Sequence, residues 1–243
     1  APIRLIAPEG TVVNCRFPAA VAARMQIGHF ITEIIYRALA QALPERVLAG
    51  GGGTPATMQV FYGRRNNGEN FHTVLIRGGG MGAGASRDGE GSFIFPANGA
   101  NTPVEILESD TPLMVKQREL IPDSGGAGRQ RGALGRREVF WVPDDVYAPD
   151  GPVTLAVQSG RFRIPPAGLF GGRPGAKAQF LVNGKSGNPY GITRLRAGDS
   201  VTMDAAGGGG YGAPEDRDSE ALTRDVAEGR VSASGAVRDY WLK

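Results

Sequence analysis

The apolar side chains Ile27, Phe30, Ile31, Ile34, Ile35, Ala38 and Leu39 recur at three- and four-residue spacing. That is the period of an α-helix with one apolar stripe. It predicts a long amphipathic helix over residues 19–42, opened by Pro18, with one face packed on a core. From residue 57 onward the pattern changes to short runs rich in β-branched and aromatic residues. These predict strands at 57–62, 72–76, 92–95, 104–108, 113–120, 137–142, 153–158, 178–182, 192–195 and 200–204, after two short ones at 3–7 and 11–14. Asn66-Asn67-Gly68 and Asn183-Gly184 are turn sequences of hairpin type. Residues 219–229 and 232–240 read as short helices. A parallel sheet would need helices alternating with the strands, and the middle of the chain has none. The expected class is α+β, with a largely antiparallel sheet, one long amphipathic helix near the N-terminus and short C-terminal helices. Residues 143–151, rich in Asp and Pro, mark a surface loop or a subdomain junction.

Glycine punctuates this pattern. Clusters stand at residues 50–53, 78–84, 124–128, 169–175 and 207–212. With 38 Gly and 17 Pro among 243 residues, the chain nears the composition of low-complexity disorder, but hydrophobic residues make up 41% and fall in strand-length runs. Each cluster is therefore read as a specified loop that makes a tight turn or presents bare backbone N–H groups to a ligand or a partner chain.

Charge and cysteine usage narrow the function classes. The net charge is +3, and no run of five like charges occurs, so the basic stripe of a nucleic-acid binder is missing. Arg129, Arg131, Arg136 and Arg137 read as solvated or interface arginines. The single Cys15 excludes an internal disulfide framework, reads as a small buried hydrophobe, and indicates a reducing, cytoplasmic setting. There is no signal peptide and no apolar stretch of about twenty residues, which leaves membrane partners out. The chain opens on Ala1-Pro2 and runs directly into a strand-like segment, which reads as a start partway through a longer polypeptide.

Candidate chemistry is sparse. Gly78-Gly-Gly-Met-Gly-Ala-Gly84 follows a predicted strand, as a phosphate loop does, but no Lys-Ser or Lys-Thr and no helix follow it. His29, His72 and Cys15 are too scattered for a zinc site, His29 reads as a hydrogen-bonded boundary residue of its helix, and no metal ligand is assigned. No Gly-x-Ser-x-Gly elbow occurs. Two polar stretches, residues 98–105 and 123–129, could hold a polar small molecule or satisfy the backbone of turns, and both readings stay open.

Four stretches resemble the hydantoinase B/oxoprolinase family. They are Gly78-Gly-Gly-Met-Gly-Ala-Gly84 through Phe95-Pro-Ala-Asn-Gly-Ala-Asn-Thr-Pro-Val-Glu-Ile-Leu-Glu108; residues 118–135; Gly168-Leu-Phe-Gly-Gly-Arg-Pro-Gly175; and Gly207-Gly-Gly-Gly-Tyr-Gly-Ala-Pro-Glu-Asp-Arg217 with residues 225–232 and Arg238-Asp-Tyr240. The family comprises beta subunits of ATP-dependent hydantoinases, the C-terminal part of 5-oxoprolinases, and subunits of acetone and acetophenone carboxylases. The resemblance implies that residues 1–243 are the C-terminal portion of such a subunit. It implies a cyclic-amide hydrolase, with a ketone carboxylase subunit and a non-catalytic assembly module as alternatives. It also implies ATP and a divalent metal held elsewhere in the complex, an ATP-binding, actin-like hydantoinase A-type partner, and an N-terminal half of the same family. The residues expected to line a shared site are Asn101, Asp123, Arg129, Tyr211 and His72. The glycine loops beside them are Gly78, Gly79, Gly80, Gly82, Gly125, Gly126, Gly207, Gly208, Gly209 and Gly210.

Overall fold

A computed structural model describes residues 4–22, 24–55, 57–91, 93–97, 99, 101–143 and 152–241. Two antiparallel sheets form the body. The first has the order β2 (Asn70–Arg77), β1 (Thr57–Arg64), β5 (Val153–Gln158), β8 (Ile192–Leu195). The second has the order β3 (Met114–Leu120), β4 (Arg136–Trp141), β9 (Ser200–Ala205), β6 (Gln179–Val182), β7 (Lys185–Ser186). The α+β class with antiparallel sheets holds. The β1–β2 hairpin turns at Asn67-Gly68: Gly68 sits at φ 86°, and the Asn67 side chain accepts from the Glu69 N–H at 3.0 Å.

Alternation along the strands builds the core. Phe61 of β1 and Leu155 of β5 face Phe140 of β4 and Val201 of β9 across the sandwich, with the Phe61 and Phe140 rings 5.4 Å apart. At one end of the sandwich the inward positions turn polar. Arg77, Arg136 and Glu138 are buried there, and Arg77 and Arg118 both place Nε on the Glu138 carboxylate, at 3.1 and 2.7 Å. At this end the strands run into the glycine-rich segments: β2 into Gly78, β4 from Gly135, β9 into Ala206 and Gly207.

Several expectations change. Residues 104–108 are not a strand but part of α2 (Val104–Asp110). Pro103 fixes the entry to that helix, and the Thr111 hydroxyl donates to the Leu107 carbonyl at 2.8 Å at its exit. A short apolar run cannot by itself distinguish the two states. Residues 93–95 make only isolated bridges, Gly79 with Phe93 and Ile94 with Gly99, and Ser92 lies outside the described residues. Residues 4–7 form no strand, Ile3 is outside the described residues, and Thr11 and Asn14 pair only as an isolated bridge around a turn. Cys15 is exposed, not buried. Most of the predicted junction, residues 144–151, lies outside the described residues.

The long helix α1 spans Arg24–Leu39 and turns much of its apolar stripe outward, against expectation, with only Ile27 and Phe30 of that stripe half-buried. His29, which is buried, faces the body together with Thr32, Glu33 and Tyr36, while Ile31, Ile34, Ile35 and Leu39 are exposed. The C-terminal helices α3 (Ser219–Ala227) and α4 (Ala233–Tyr240) are capped by Asp218 and Ser232, whose side chains accept from Ala221 and Gly235 N–H. They pack Leu222, Val231, Ala236 and Tyr240 around Ala127.

Candidate functional site

The glycine clusters are extended segments packed on one another, and residues 206–211 run through the middle. Hydrogen bonds reveal the geometry. The N–H groups of Gly207 and Gly210 donate to Ala176 and Arg173 of one neighbour, at 3.2 and 2.9 Å. Those of Gly208 and Tyr211 donate to Ala133 and Gln130 of a second, at 2.8 and 2.9 Å, and Gly209 donates to Gly50 of a third at 2.8 Å. The carbonyls of Ala206 and Gly209 accept from Gly80 and Ala83 of a fourth. Partners repeat every third residue, the period of a polyproline II-type helix, which has three residues per turn and no internal hydrogen bonds.

Such a bundle closes only where backbones touch. A Cβ on Gly208 would overlap the Met81 carbonyl, and one on Gly210 the Ala127 carbonyl. The same closeness settles the phosphate-loop question. The Gly52 N–H donates to the Gly80 carbonyl, that of Gly80 to Ala206, and that of Gly126 to Gly208, so these N–H groups are spent on neighbouring carbonyls and do not cradle an anion.

A pocket lies between the inward face of α1 and this bundle. His29, Glu33 and Tyr36 meet Thr54, glycine backbone around Gly51 and Gly80, and the apolar side chains of Leu48, Met81 and Phe93. Burial lowers the His29 pKa, which favours a neutral imidazole. The Glu33 carboxylate accepts a hydrogen bond from buried Arg161, whose guanidinium lies 5.1 Å from the Phe30 ring centre. Burial lowers the Arg161 pKa, opposed by Glu33. Tyr36 stacks on Phe95 at 6.2 Å. The free space of the pocket is about 20 Å³, room for about one water-sized group, so it admits the polar edge of a molecule and not a whole ring.

A second polar cluster fastens the terminal helices to the bundle. Arg131 grips Asp225 with two hydrogen bonds, of 2.9 and 3.1 Å. Arg217 bridges Asp225 and Asp88, reaching Asp88 at 2.9 and 2.8 Å. Burial works against the Arg217 charge, but the Asp88 hydrogen bond and the two carboxylates raise its pKa. Burial likewise works against the Asp88 charge, and Arg217 overcomes it and holds the carboxyl below its usual range. Burial pushes the Tyr240 phenol up to about 12. Arg131 and Arg136 are therefore buried ion-pair members, not the surface arginines read from sequence.

The residues expected to line a shared site do not converge as a set. Arg129 and Tyr211 do come together: the Arg129 N–H donates to the Gly212 carbonyl at 3.2 Å, and neighbouring Gln130 pairs with Tyr211. Tyr211 is buried and gives its hydroxyl hydrogen to the Pro44 carbonyl at 2.7 Å. Asp123, at φ 60°, accepts from the Ser232 N–H at 2.8 Å and so positions the start of α4. Asn101 lies just before α2, beside Thr102, whose carbonyl accepts from Arg77 and Arg118. His72 is exposed on the outer face of β2, opposite Tyr62. Sequence reasoning missed Glu33, Tyr36, Thr54 and Arg161; the signal for the first two was the polar stripe His29, Glu33, Tyr36 opposite the isoleucines.

Among the described residues, no group of three or more His, Cys, Asp or Glu side chains is arranged to hold a metal ion. The described residues thus offer no fitted donor set for a divalent metal. No described helix is long and apolar enough to cross a membrane.

Comparison with known proteins follows the same outline. The hydantoinase B/oxoprolinase family model matches residues 1–214. An uncharacterised protein of Methanocaldococcus jannaschii is 34% identical over 248 residues, which cover 99% of this chain and 42% of that protein. The caprolactamase subunit beta of Pseudomonas jessenii is 30% identical over 254 residues, 97% of this chain and 42% of the subunit. The crystal structure of the ATP-dependent caprolactamase from Pseudomonas jessenii aligns with a TM-score of 0.81 at 25% identity, over 97% of this chain and 42% of that one. The chain spans about two-fifths of the length of these curated relatives.

Proposed function

Because the chain belongs to the hydantoinase B/oxoprolinase family, we propose that it is the C-terminal part of a subunit of an ATP-dependent cyclic-amide hydrolase. The observation that carries this reading is the likeness over 97% of the chain to the ATP-dependent caprolactamase structure. The chemistry is consistent with a two-component enzyme. An amide carbonyl is a poor electrophile. Transfer of the γ-phosphoryl group of ATP to the amide oxygen releases ADP and makes the carbon electrophilic; water then adds to that carbon, the ring C–N bond breaks as the nitrogen takes a proton, and a second water hydrolyses the resulting acyl phosphate to carboxylate and inorganic phosphate.

On this reading ATP is bound by an actin-like partner of hydantoinase A type, and the metal by protein outside this chain, in a cytoplasmic complex. This chain supplies a wall that does not deform, with one polar face on the reacting molecule. His29 and Thr54 in the pocket beneath α1 are the side chains proposed to meet the amide edge, with Glu33 held in position by Arg161.

The test is reconstitution with the ATP-binding partner and the remainder of the subunit, followed by assay of ATP-dependent hydrolysis of caprolactam, hydantoin and 5-oxoproline. Turnover of at least one ring that is lost in His29→Gln, with assembly intact, is the expected result. Absence of both association and turnover removes the proposal. A second reading, a module that only assembles the complex, is favoured by the way the bundle satisfies its own backbone groups. It predicts that His29→Gln leaves turnover unchanged.

A further inference from the structure

The outward-facing apolar residues of α1 call for something on its outer side. Ile31, Ile34, Ile35 and Leu39 form one ridge by their three- and four-residue spacing, and they are 43%, 64%, 49% and 41% exposed. Single exposed apolar residues are ordinary, but a ridge of large aliphatic side chains marks a contact surface. The segment ahead of the helix adds Val12, Phe17 and Val21, all exposed. The opposite side of α1 cannot turn outward in exchange, because His29 and the Glu33–Arg161 pair tie it to the pocket.

We infer that this ridge is the seat of the part of the hydantoinase B-type subunit that lies outside the matched region. The inference rests on the family assignment and on the reading of this chain as one portion of a subunit. The two curated relatives leave more than half of their length unmatched, while nearly all of this chain is matched. In them both portions belong to one polypeptide, so a body larger than this chain is present at equal stoichiometry. A hydrocarbon ridge flanked by few charges selects an apolar face on that body and not a charged ligand.

The test uses site-directed thiol labelling. In a Cys15→Ser background, Ile34→Cys reports on the ridge and Val237→Cys, on exposed α4, serves as control. Both are reacted with N-ethylmaleimide, alone and with the polypeptide from the same organism that carries the rest of the subunit. Access governs thiol labelling, so Ile34→Cys is expected to react about tenfold more slowly, or less, in the complex, with Val237→Cys unchanged. Ile35→Glu is expected to weaken the complex while leaving the thermal midpoint of the isolated chain in place. Equal labelling of Ile34→Cys in both states overturns the inference. So does protection in the isolated chain accompanied by a dimer mass, which would assign the ridge to a second copy. Amide turnover measured on the same samples separates the two proposals: protection without turnover removes only the hydrolase reading, and turnover without protection removes only this one.

Discussion

In the sandwich, Phe61 and Phe140 lie with ring centres 5.4 Å apart, and side chains hold the two backbones apart. In the glycine bundle there is nothing between the backbones: the α-carbon of Gly208 lies against the Met81 carbonyl, and that of Gly210 against the Ala127 carbonyl. The sandwich is stabilised by apolar area removed from water. The bundle is held by peptide hydrogen bonds in several directions, which buried backbone groups must make in any case. Side chains can shift between rotamers to accommodate a change of shape. Peptide groups packed at contact distance cannot. The chain therefore joins an adaptable half to an unyielding one, and the candidate pocket borders the unyielding half.

The largest effect should come from a single methyl group placed in the bundle. Gly208→Ala is expected to cost more than about 4 kcal/mol, enough to remove the folded state, because the added carbon overlaps backbone. Leu155→Met in the sandwich core is expected to cost less than about 1.5 kcal/mol. Circular dichroism without urea reads the first as loss of the folded signal, urea denaturation reads the second, and a Gly208→Ala chain that unfolds at the same urea concentration as Leu155→Met would break the contrast between the two halves.

The joint between bundle and terminal helices comes next. Asp225→Ala removes the carboxylate that faces buried Arg131 and Arg217 and should cost about 3–5 kcal/mol, since unpaired charges would remain buried. The same denaturation curves read it.

A smaller effect follows from Tyr240, whose phenol has a folded pKa of about 12 against an ordinary 10. Between these values the folded chain keeps a proton that the unfolded chain releases. Stability is therefore full below pH 10 and falls as pH rises toward 12, by an amount on the order of 2 kcal/mol. Tyr240→Phe should flatten that slope in a titration of unfolding free energy.

The smallest effect has the opposite sign. Gly28 lies in α1, and a methyl group added there would meet nothing within 4 Å. Gly28→Ala should stabilise the chain by about 0.5–1 kcal/mol, through helix propensity alone. A rise in thermal midpoint checks it and shows that glycine as such is not required, only glycine where backbones meet.

The sandwich was largely legible from the sequence because it is written in side chains. Alternation in residues 57–62, 137–142 and 153–158 locates β1, β4 and β5 within one or two residues, and Asn67-Gly68 locates the hairpin. The period of α1 is legible too, but a period gives a stripe and not the side on which the body lies, so the ridge reads as core. The bundle leaves no periodic hydrophobic signal, because glycine has no side chain to alternate. Its trace is compositional: glycine runs flanked by alanines such as Ala49, Ala83, Ala133 and Ala206, the small residues that the contacts between segments require. The pocket escapes sequence reasoning for the same reason, since one of its walls is backbone.

The central segment also has a bearing on how the chain is made. Residues 206–211 touch several neighbouring segments that all precede them in the sequence. A ribosome releases those segments before it releases the piece that joins them. They must wait with their peptide groups bonded to water until residues 206–211 emerge. Such contacts between distant parts of a chain form slowly. We predict that a chain truncated before Ala205 shows little amide-exchange protection at Gly80, Ala83 and Gly126, whereas strong protection there would mean that the neighbours assemble without their centre.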